Sequence, residues 1–495
     1  MTYSNKISNC INVLKLSVMR SIVSLIVKKR ALIMARPSSV SVLQLLDLLQ
    51  NGDPVPAGEL VEKLAVSRPV LSRLVAEAGD RVRRVGKARA TAYVATALVR
   101  PNRWPLYRMG PEANMEELGT LHALRGDRFL FEPTGDRPNL MRQVDGPAGY
   151  FPGLPWFLDD VRPQGFLGRS MAHRLGRALG APVDLKSWQS RDNLLGILHG
   201  GTSIGDLLLG QAAIDRALRD VDAPPDQVDM NRRQQIYAIR AKEALDGEDV
   251  GSSPGGEQPK FTATVVSAAR RYAALVKFAL PSVNPVGARW ADLLTCEHLA
   301  LTTLREAGVS ASRTQLLRRD DHVFLEVERF DRTDVLGRRG FVSLLALDAA
   351  FVGEGTRDWG VAGEQLVGQR LITQDAAEAM ARLHWFGRFI GNTDMHLGNI
   401  GFHLIDRGPL PLCPAYDMLP MYMAPSAQSG NIRALAPVSI NAPGRSGQAP
   451  FIAWAARVAV QFWQQVAEAE VAADIQAVAR QNMGVVSRYA QRFGG

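Results

Sequence analysis

The chain of 495 residues carries a formal net charge of +9 at pH 7, and 46% of its residues are hydrophobic. This length predicts roughly three domains, and the composition suits a soluble globular core that folds without disulfides. The three cysteines, Cys10, Cys296 and Cys413, lie far apart and lack Cys-x-x-Cys spacing, which argues against a disulfide framework or a zinc knuckle. A reducing cytoplasm therefore fits best, and the basic charge favours polyanionic partners such as nucleic acid or nucleotide.

Residues 1–33 form a basic N-terminal extension with six Lys or Arg residues and no acid. Its apolar run, residues 22–27, is shorter than the about 20 residues that a bilayer crossing needs. No convincing signal-peptide cleavage site follows the run. We expect a disordered or loosely docked segment, with Met34 as an alternative natural start, and contact with a membrane surface is the competing interpretation.

Residues 34–97 show three short helical patterns separated by turn residues, over 42–49, 59–64 and 67–77. Apolar residues recur there at spacings of three and four, which predicts a helix-turn-helix core. In the third helix, Ser67 is the expected N-cap and Pro69 lies in the first turn. This helix is the predicted recognition helix for DNA, with its apolar positions Val70, Leu71, Leu74 and Val75 packed inward.

Residues 81–94 then have the pattern of a two-stranded wing with a basic tip. Between residues 67 and 90 there are seven basic and two acidic residues, a balance typical of a surface that contacts phosphates. A winged helix that docks a protein is the alternative. The side chains expected to contact DNA lie on the outer face of the recognition helix and at the wing tip: Arg68, Ser72, Arg73, Lys87 and Arg89.

Residues 98–250 are rich in Gly, Pro and Trp, and we expect irregular structure with short strands and no chemistry there. Residues 247–256 read as a flexible connection that enters the segment 252–261 (SSPGGEQPKF). Glycine lets backbone N–H groups approach phosphates, and Lys260 adds a positive charge, so this segment suits a phosphate-covering loop. An ordinary surface turn is the alternative.

A strand predicted over residues 273–278 carries Lys277 as its sole charge. A lysine in an apolar strand is costly unless its ammonium meets an anion. The helix predicted over 291–307 supplies Glu297, and such a strand lysine paired with a helix glutamate orients nucleotide phosphates in kinases. Alternatively, Lys277 extends from an edge strand to solvent and Glu297 faces water. A second strand begins at His322, and its end is the candidate hinge against which adenine would lie.

Residues 391–400 (GNTDMHLGNI) follow a helix predicted over 375–390. Asp394 and Asn399 have the Asp-x4-Asn spacing of a kinase catalytic loop, in which the acid takes the substrate hydroxyl proton and the amide oxygen holds a metal. Asp417, eighteen residues beyond Asn399, is the expected second metal ligand, because Mg²⁺ prefers carboxylate and amide oxygens together with phosphate. Both loop residues could instead be turn formers. His396 is either a phosphate contact or a structural residue.

These motifs together resemble the HipA family of bacterial serine/threonine kinases, the toxin components of toxin-antitoxin pairs. The resemblance spans about residues 250–420 and is carried by segments 253–260 (SPGGEQPK), 275–278 (LVKF), 327–332 (VERFDR), 391–399 (GNTDMHLGN) and 415–419 (AYDML), with Glu297 between them. It implies an α+β, bilobal protein-kinase-like fold with a mostly helical C-lobe, here preceded by the winged helix-turn-helix domain. The expected lobes are residues 98–345 and 346–495.

The resemblance also implies roles for individual residues. Asp394 is the implied proton acceptor, Asn399 and Asp417 hold Mg²⁺, and Ser253 is the implied site of autophosphorylation that switches the enzyme off. Pro254 and Pro259 stiffen this loop relative to the commoner family pattern. The residues implied to bind ATP surround its phosphates and its base: Gly255, Gly256, Glu257, Gln258, Lys260, Lys277, Glu328, Phe330, His396, Asn399 and Asp417.

The sequence thus predicts an ATP- and Mg²⁺-dependent protein kinase with a DNA-binding module, acting on an unidentified protein substrate and on itself. The fused module resembles that of a family subgroup with its own helix-turn-helix. The sequence leaves open whether a separate antitoxin exists and whether the chain is a homodimer, although helix-turn-helix proteins commonly dimerise on DNA. Two other interpretations remain: a nucleotide-sensing transcriptional regulator with an inactive kinase fold, and a metal-dependent nuclease.

Overall fold

The computed structural model describes residues 40–143, 147–199, 203–245, 258–280, 284–320, 322–426, 431–432, 434–441 and 447–493. The predicted extension 1–33 lies outside these ranges, and so do Ser253, Gly255, Gly256 and Glu257 of the predicted phosphate loop. The chain forms two compact units, an N-terminal unit that ends at Thr96 and a C-terminal unit that begins at Ala97.

The N-terminal unit contains three helices and a small antiparallel sheet. The helices are α1 (Val42–Leu48), α2 (Ala57–Lys63) and α3 (Arg68–Ala78). The strands are β1 (Val55–Pro56), β2 (Val82–Val85) and β3 (Ala92–Ala95), in the order β1-β3-β2. Leu45, Leu60, Leu71 and Leu74 form the centre of its core. The three helices and the β2–β3 hairpin come in the order predicted for residues 34–97, and β1 between α1 and α2 was not predicted. DNA binding by this unit stays a prediction.

The start of α3 differs from the expectation in one detail. Ser67 is the N-cap residue, but its side chain makes no capping hydrogen bond. Pro69 explains part of this, because it occupies the second helical position and has no N–H for a cap to accept from. The helix start therefore depends on the fixed backbone angle of Pro69 and on the buried Leu71 and Leu74.

The C-terminal unit begins with a five-stranded antiparallel sheet that the sequence did not reveal. Its strands are β4 (Arg103–Met109), β5 (Met115–Ala123), β6 (Phe129–Pro133), β7 (Tyr150–Phe151) and β8 (Leu207–Leu209), in the order β7-β6-β5-β4-β8. Helices α4 (Gly165–Leu179), α5 (Ser190–His199) and α6 (Gln211–Asp222) accompany it. A register shift between Leu106 and Tyr107, beside Pro105 and opposite Gly119, interrupts the alternation that would have marked the strands.

A second five-stranded sheet carries the predicted lysine strand. Its strands are β9 (Gln227–Asp229), β10 (Lys260–Val266), β11 (Arg271–Ala279), β12 (Thr314–Arg319) and β13 (His322–Glu328), and the helices beside it are α7 (Arg233–Leu245) and α8 (Pro285–Glu306). The order is β12-β13-β11-β10-β9, so β11 has a paired strand on both sides. Lys277 therefore lies on an internal strand, and the interpretation that it extends from an edge strand is wrong.

The remainder of the chain is mostly helical. It contains β14 (Val342–Ser343), α9 (Leu344–Phe351), α10 (Trp359–Gly368), α11 (Gln374–Ile390), β15 (Gly401–Phe402), α12 (Ala449–Glu468) and α13 (Ala473–Phe493). Met380, Leu383 and Phe386 of α11 are buried, as their spacing predicted. The expected α+β class with a mostly helical C-terminal part is confirmed. Within the described ranges, no helix combines the length and the apolar character that a membrane crossing requires.

Candidate active site

Lys277 is the centre of a buried cluster of charges. Its Nζ lies 2.7 and 2.8 Å from the two carboxylate oxygens of Glu297, and both side chains are almost fully buried. The pair forms because β11 is internal and α8 packs against that sheet, which places residue 297 over residue 277. Burial by itself favours the neutral amine, but the carboxylates of Asp417 and Glu297 outweigh it and raise the pKa of Lys277. Burial raises the pKa of Glu297 even though Lys277 opposes the shift.

Asp417 joins this cluster from the C-terminal part of the unit. Its Oδ1 also accepts a hydrogen bond from Lys277 Nζ. Burial would raise the pKa of Asp417, but Lys277 and Lys260 overcome that effect and lower it to about 2. The backbone of Asp417 has a φ of 52°, in the left-handed region that non-glycine residues rarely occupy. The carboxylate is therefore ionised at neutral pH and held by a backbone turn.

The segment that carries Asp394 begins where α11 ends. Gly391 terminates this helix with a φ of 73°, and the ring of Tyr422 lies where a β-carbon would be. Both observations require glycine at this position. The next residue, Asn392, accepts a hydrogen bond at Oδ1 from the backbone N–H of Asp394, 3.0 Å away. Asp394 itself is exposed at the surface of the loop.

The end of this loop is a short 3₁₀ turn, Leu397–Asn399. Asn399 Nδ2 donates to the backbone oxygen of Asp394 at 2.8 Å, which leaves the amide oxygen as the atom for a ligand. His396 is the N-cap of the turn, because its Nδ1 accepts from the N–H of Gly398 at 3.0 Å. This bond gives His396 a structural role, and its exposed ring still borders the same space.

One cleft of about 1420 Å³ contains every predicted nucleotide or catalytic residue that the structure describes. Its walls include Gln258, Lys260, Lys277, Glu297, Glu328, Phe330, Asp394, His396, Asn399 and Asp417. Gln258 Nε2 donates to the backbone oxygen of Phe278, whereas its buried Oε1 has no partner among the described residues. A buried acceptor of this kind needs a donor from a ligand or water.

The candidate hinge lies at the end of β13. The Glu328 carboxylate is held by two hydrogen bonds from Arg270, at 3.2 and 3.0 Å, so its side chain is already engaged. Phe330 stacks on Tyr416, with ring centroids 5.7 Å apart and an angle of 28° between the planes. The hinge therefore offers an aromatic surface at the cleft wall, on which a flat base could pack.

The described residues also bear on the metal expected at Asn399 and Asp417. No group of three or more His, Cys, Asp or Glu side chains with metal-binding geometry is found in the described part of the chain. An ionised carboxylate and an oriented amide oxygen are nevertheless the donors that suit Mg²⁺ when phosphate oxygens and water complete its shell. The donor set fits a cation that arrives with a nucleotide better than a permanently bound metal.

The predicted DNA contacts are exposed in the N-terminal unit. Arg68, Ser72 and Arg73 lie on the outer face of α3, and Lys87 and Arg89 lie at the tip between β2 and β3. Leu71 and Leu74 are buried on the opposite face, as predicted, whereas Val70 and Val75 are only partly buried. The exposed polar side chains and the buried leucines thus lie on opposite faces of α3, and contact with DNA stays a prediction.

Two residues in or beside the cleft had no predicted role. Asn392 connects the segments that carry Asp394 and Asp417, and its side-chain bond to the N–H two residues on is an Asx turn, a signal that Asn followed two residues later by Asp could have suggested. Tyr416 stacks on Phe330 and donates from its hydroxyl to the backbone oxygen of Gly398 at 2.9 Å. No local signal distinguishes it from any tyrosine beside an acid.

Comparison with known proteins identifies two parts of the C-terminal unit. Residues 100–218 match the middle domain of YjjJ-like toxins, and residues 252–486 match the HipA-like C-terminal domain. The toxin YjjJ of Escherichia coli (strain K12) is 38% identical over 430 residues, which cover 86% of this chain and 92% of that protein. The sheet formed by β4 to β8 thus falls within a recognised toxin domain.

Two solved structures show weaker similarity. The toxin-antitoxin complex of HipA, HipB and operator DNA from Shewanella oneidensis MR-1 matches with a TM-score of 0.48 and 14% identity, over 78% of this chain and 97% of that chain. The proinflammatory kinase CtkA of Helicobacter pylori matches with a TM-score of 0.35 and 11% identity, over 49% of this chain and 93% of that chain.

Proposed function

The chain belongs to the family of HipA-like toxins that includes YjjJ, and from this premise we propose that it is an ATP- and Mg²⁺-dependent protein serine/threonine kinase. The observation that carries the proposal is the buried cluster of Lys277, Glu297 and Asp417 on the wall of the cleft that Asp394 and Asn399 also line. Phosphoryl transfer depends on positioning and on charge stabilisation, and this cluster supplies both.

The residues divide the work of phosphoryl transfer among them. Lys277, held by Glu297, would bind phosphate oxygens. Asn399 and Asp417 would hold Mg²⁺, which neutralises charge that develops on the phosphates. Asp394, which is exposed and lines the cleft, would accept the proton of a substrate hydroxyl. Gln258 and Lys260 begin the described part of the loop and strand that would cover the nucleotide.

The adenine base would lie at the end of β13, against Phe330. The ring of Phe330 is already ordered by stacking on Tyr416, so Phe330 loses little conformational freedom when a base packs against it. The Glu328 side chain is occupied by Arg270, so a contact with adenine at this position would come from the backbone.

The proposal includes autophosphorylation in the cytoplasm of the producing cell. Ser253 is the expected acceptor, from its place in the sequence motif. A serine or threonine of another protein is the expected substrate in the toxic reaction, since the open cleft leaves Asp394 accessible from solvent.

The N-terminal unit is proposed to bind DNA through α3 and the tip between β2 and β3. Arg68, Arg73, Lys87 and Arg89 are exposed on one short stretch of chain, and phosphate contact is a common use of such clustered charge. A chain with its own DNA reader could regulate its transcription without a separate DNA-binding antitoxin.

Incubation of the purified chain with γ-labelled ATP and Mg²⁺ tests the kinase activity. We expect labelled wild-type protein and no label in Asp394→Ala. Asp375→Ala is the matched control, because it removes an exposed aspartate that does not line the cleft, and it should be labelled like wild type.

Equal labelling of Asp394→Ala and wild type would reject the assigned catalytic base. ATP-dependent shifts of operator DNA without any phosphate transfer would instead favour the nucleotide-sensing regulator. Nicking of plasmid DNA that requires Mg²⁺, ignores ATP and vanishes in Asp417→Ala would favour the nuclease.

A further inference from the structure

The side chain of Asn392 connects the two segments that carry the cleft acids. Its Oδ1 accepts from the backbone N–H of Asp394 at 3.0 Å, and its Nδ2 donates to the backbone oxygen of Asp417 at 3.3 Å. The side chain is buried, with 6% of its surface exposed. One amide group thus fixes the backbone of residue 394 relative to that of residue 417, which lies 25 residues beyond Asn392.

The connection is anchored on rigid structure at one end. The backbone N–H of Asn392 donates to the carbonyl of Gly387 in the last turn of α11 at 2.8 Å. A left-handed Gly391 directs the chain out of the helix, and the N–H of Tyr422 donates to the Gly391 carbonyl at 3.1 Å. The backbone of Asn392 is therefore anchored to α11 independently of the hydrogen bonds that its side chain makes to the segments of Asp394 and Asp417.

The side-chain Nδ2 of Asn392 contacts the backbone of Asp417, which has a sparsely populated conformation. Asp417 has a φ of 52°, a conformation that is unfavourable for a non-glycine residue unless its surroundings hold it. Lys277 holds the carboxylate of Asp417, and Asn392 holds its carbonyl. The orientation of this acid toward the cleft therefore depends on both contacts.

We propose that Asn392 is a positioning residue that sets the proton-accepting Asp394 and the metal-binding Asp417 at a fixed relative placement. The inference rests on the proposed kinase function and extends it to a residue that needs no contact with substrate, nucleotide or metal. It reaches the two acids through hydrogen bonds to their backbones, and its Nδ2 also lies 3.8 Å from Met418 Sδ, so its loss leaves the carboxylates themselves unchanged.

An amide suits this place because one of its ends accepts and the other donates. Leucine has a similar size but neither function. An ionised aspartate can accept from the N–H of Asp394 but cannot donate to the carbonyl of Asp417, whereas a protonated aspartic acid can do both. Comparison of asparagine, leucine and aspartate at residue 392 therefore distinguishes the effect of the two hydrogen bonds from the effect of the volume that the side chain fills.

Kinetics of Asn392→Leu at saturating ATP test the proposal. We expect kcat to fall by about 10- to 100-fold, because small displacements of reacting groups have effects of this size. We also expect the Mg²⁺ concentration for half-maximal rate to rise several-fold, since Asp417 keeps its contact with Lys277 but loses the hydrogen bond that holds its backbone.

Asn102→Leu is the matched control. Asn102 is also buried, donates to the carbonyl of Ala97 at 2.7 Å and accepts from Arg100 at 2.8 Å, so its amide makes the same two kinds of hydrogen bond without contacting the segments of Asp394 and Asp417. This variant should lower the melting temperature without a change in the Mg²⁺ dependence. A purely structural role for Asn392 would make the two leucine variants behave alike.

Asn392→Asp gives a second measurement, which also serves if the leucine variant does not fold. Its activity relative to wild type should be low at neutral pH and should increase as the pH falls and the new carboxyl group gains a proton. The proposal is overturned if Asn392→Asp and, where it folds, Asn392→Leu keep wild-type kcat and wild-type Mg²⁺ dependence.

Binding measurements separate failure of this inference from failure of the kinase proposal. Calorimetric titration with Mg²⁺ and a non-hydrolysable ATP analogue requires no catalysis. If wild type binds the analogue but transfers no phosphate, a weakened Mg²⁺-dependent affinity in the Asn392 variants still supports positioning of Asp417, and an unchanged affinity overturns it. A wild-type chain that neither binds nor transfers would overturn both.

Discussion

Lys277 and Glu297 form a buried ion pair in which the lysine Nζ lies 2.7 Å from the nearer carboxylate oxygen. The charges come from an internal strand and from the helix packed over it, twenty residues apart in the chain. Taking both charges out of water is costly, so neither residue would be retained in this core without its partner or a ligand. The pair therefore couples the stability of the unit to the site where we propose that phosphate binds.

Replacement of the lysine tests this coupling. Lys277→Met should lower the free energy of unfolding by about 3–5 kcal/mol, because it leaves the buried Glu297 without its cation. In this variant Glu297 should take up a proton readily, because burial raises its pKa and Lys277 no longer opposes that shift, so the loss should shrink as the pH is lowered from neutral. Denaturant unfolding at several pH values measures both effects.

A double variant provides the control for that measurement. Lys277→Met with Glu297→Gln removes both charges of the pair and should recover part of the lost stability. Phosphate transfer should be abolished in both variants, because each lacks the ammonium of Lys277. If the single and double variants unfold at the same denaturant concentration at neutral pH, the buried charge of Glu297 is not the cause.

A second prediction concerns the end of α11. Gly391→Ala should destabilise the unit by roughly 1–3 kcal/mol, because alanine disfavours the left-handed conformation and its β-carbon would meet the ring of Tyr422. The displaced loop should also slow phosphate transfer by about 10- to 100-fold. Thermal unfolding and the labelling assay check the two parts.

Gly368→Ala is the matched control for this substitution. Gly368 ends α10 with open space around the position of a β-carbon, so alanine there should be neutral or slightly stabilising. Similar melting temperatures and activities for the two alanine variants would contradict a requirement for glycine at residue 391.

The third prediction is an acid sensitivity caused by His384. Burial lowers the pKa of this residue to about 4 and outweighs the opposing effect of Asp358, and Arg388 adds to the lowering. The unfolded chain takes up the proton near pH 6.5, so stability should decline as the pH falls from about 6.5 to about 4, by about 3 kcal/mol in total.

Unfolding measured across this range should show a shallower decline for His384→Gln. The backbone N–H of Trp359 donates to His384 Nδ1 at 3.4 Å. Glutamine can still accept this hydrogen bond, but its side chain does not titrate. An identical pH dependence in the variant would assign the acid sensitivity to other groups.

The fourth prediction addresses DNA binding. Arg73→Ala should weaken binding to DNA and reduce the slope of log affinity against log salt by about 0.9, the change expected for one lost phosphate contact. Lys63→Ala removes the same charge from α2, where Lys63 is exposed and paired with Glu59, and should leave the slope unchanged. Equal slopes for the two variants would place the DNA contact elsewhere.

Much of the candidate site was predictable because its chemistry requires particular residue types at short spacings. The Asp394 and Asn399 pair, the lone Lys277 in an apolar strand and the Asp417 beyond it could be recognised by such constraints. The helix over 374–390 was equally clear, because its buried residues recur with the helical period. Family membership followed from the same motifs and is confirmed by the similarity to YjjJ.

The sheet formed by β4 to β8 was not predictable from its residues. Strands β4 to β7 pair in sequence order, but β8 joins the sheet beside β4 only after helices α4 and α5, and a bulge and prolines interrupt the alternation of apolar residues. Strand propensity depends on which neighbours a residue meets, and those neighbours are set only when the sheet assembles.

The sequence alone determined which groups are available: one lysine without a local counter-ion, acids and amides at catalytic spacing, and a basic helix in a separate unit. Only the tertiary structure decided that Lys277 lies on an internal strand, that Glu297 and Asp417 both reach it, and that Asn392 ties residue 394 to residue 417. The physical reason is that local patterns fix which face of an element is apolar, whereas contacts between distant segments depend on how those faces pack together.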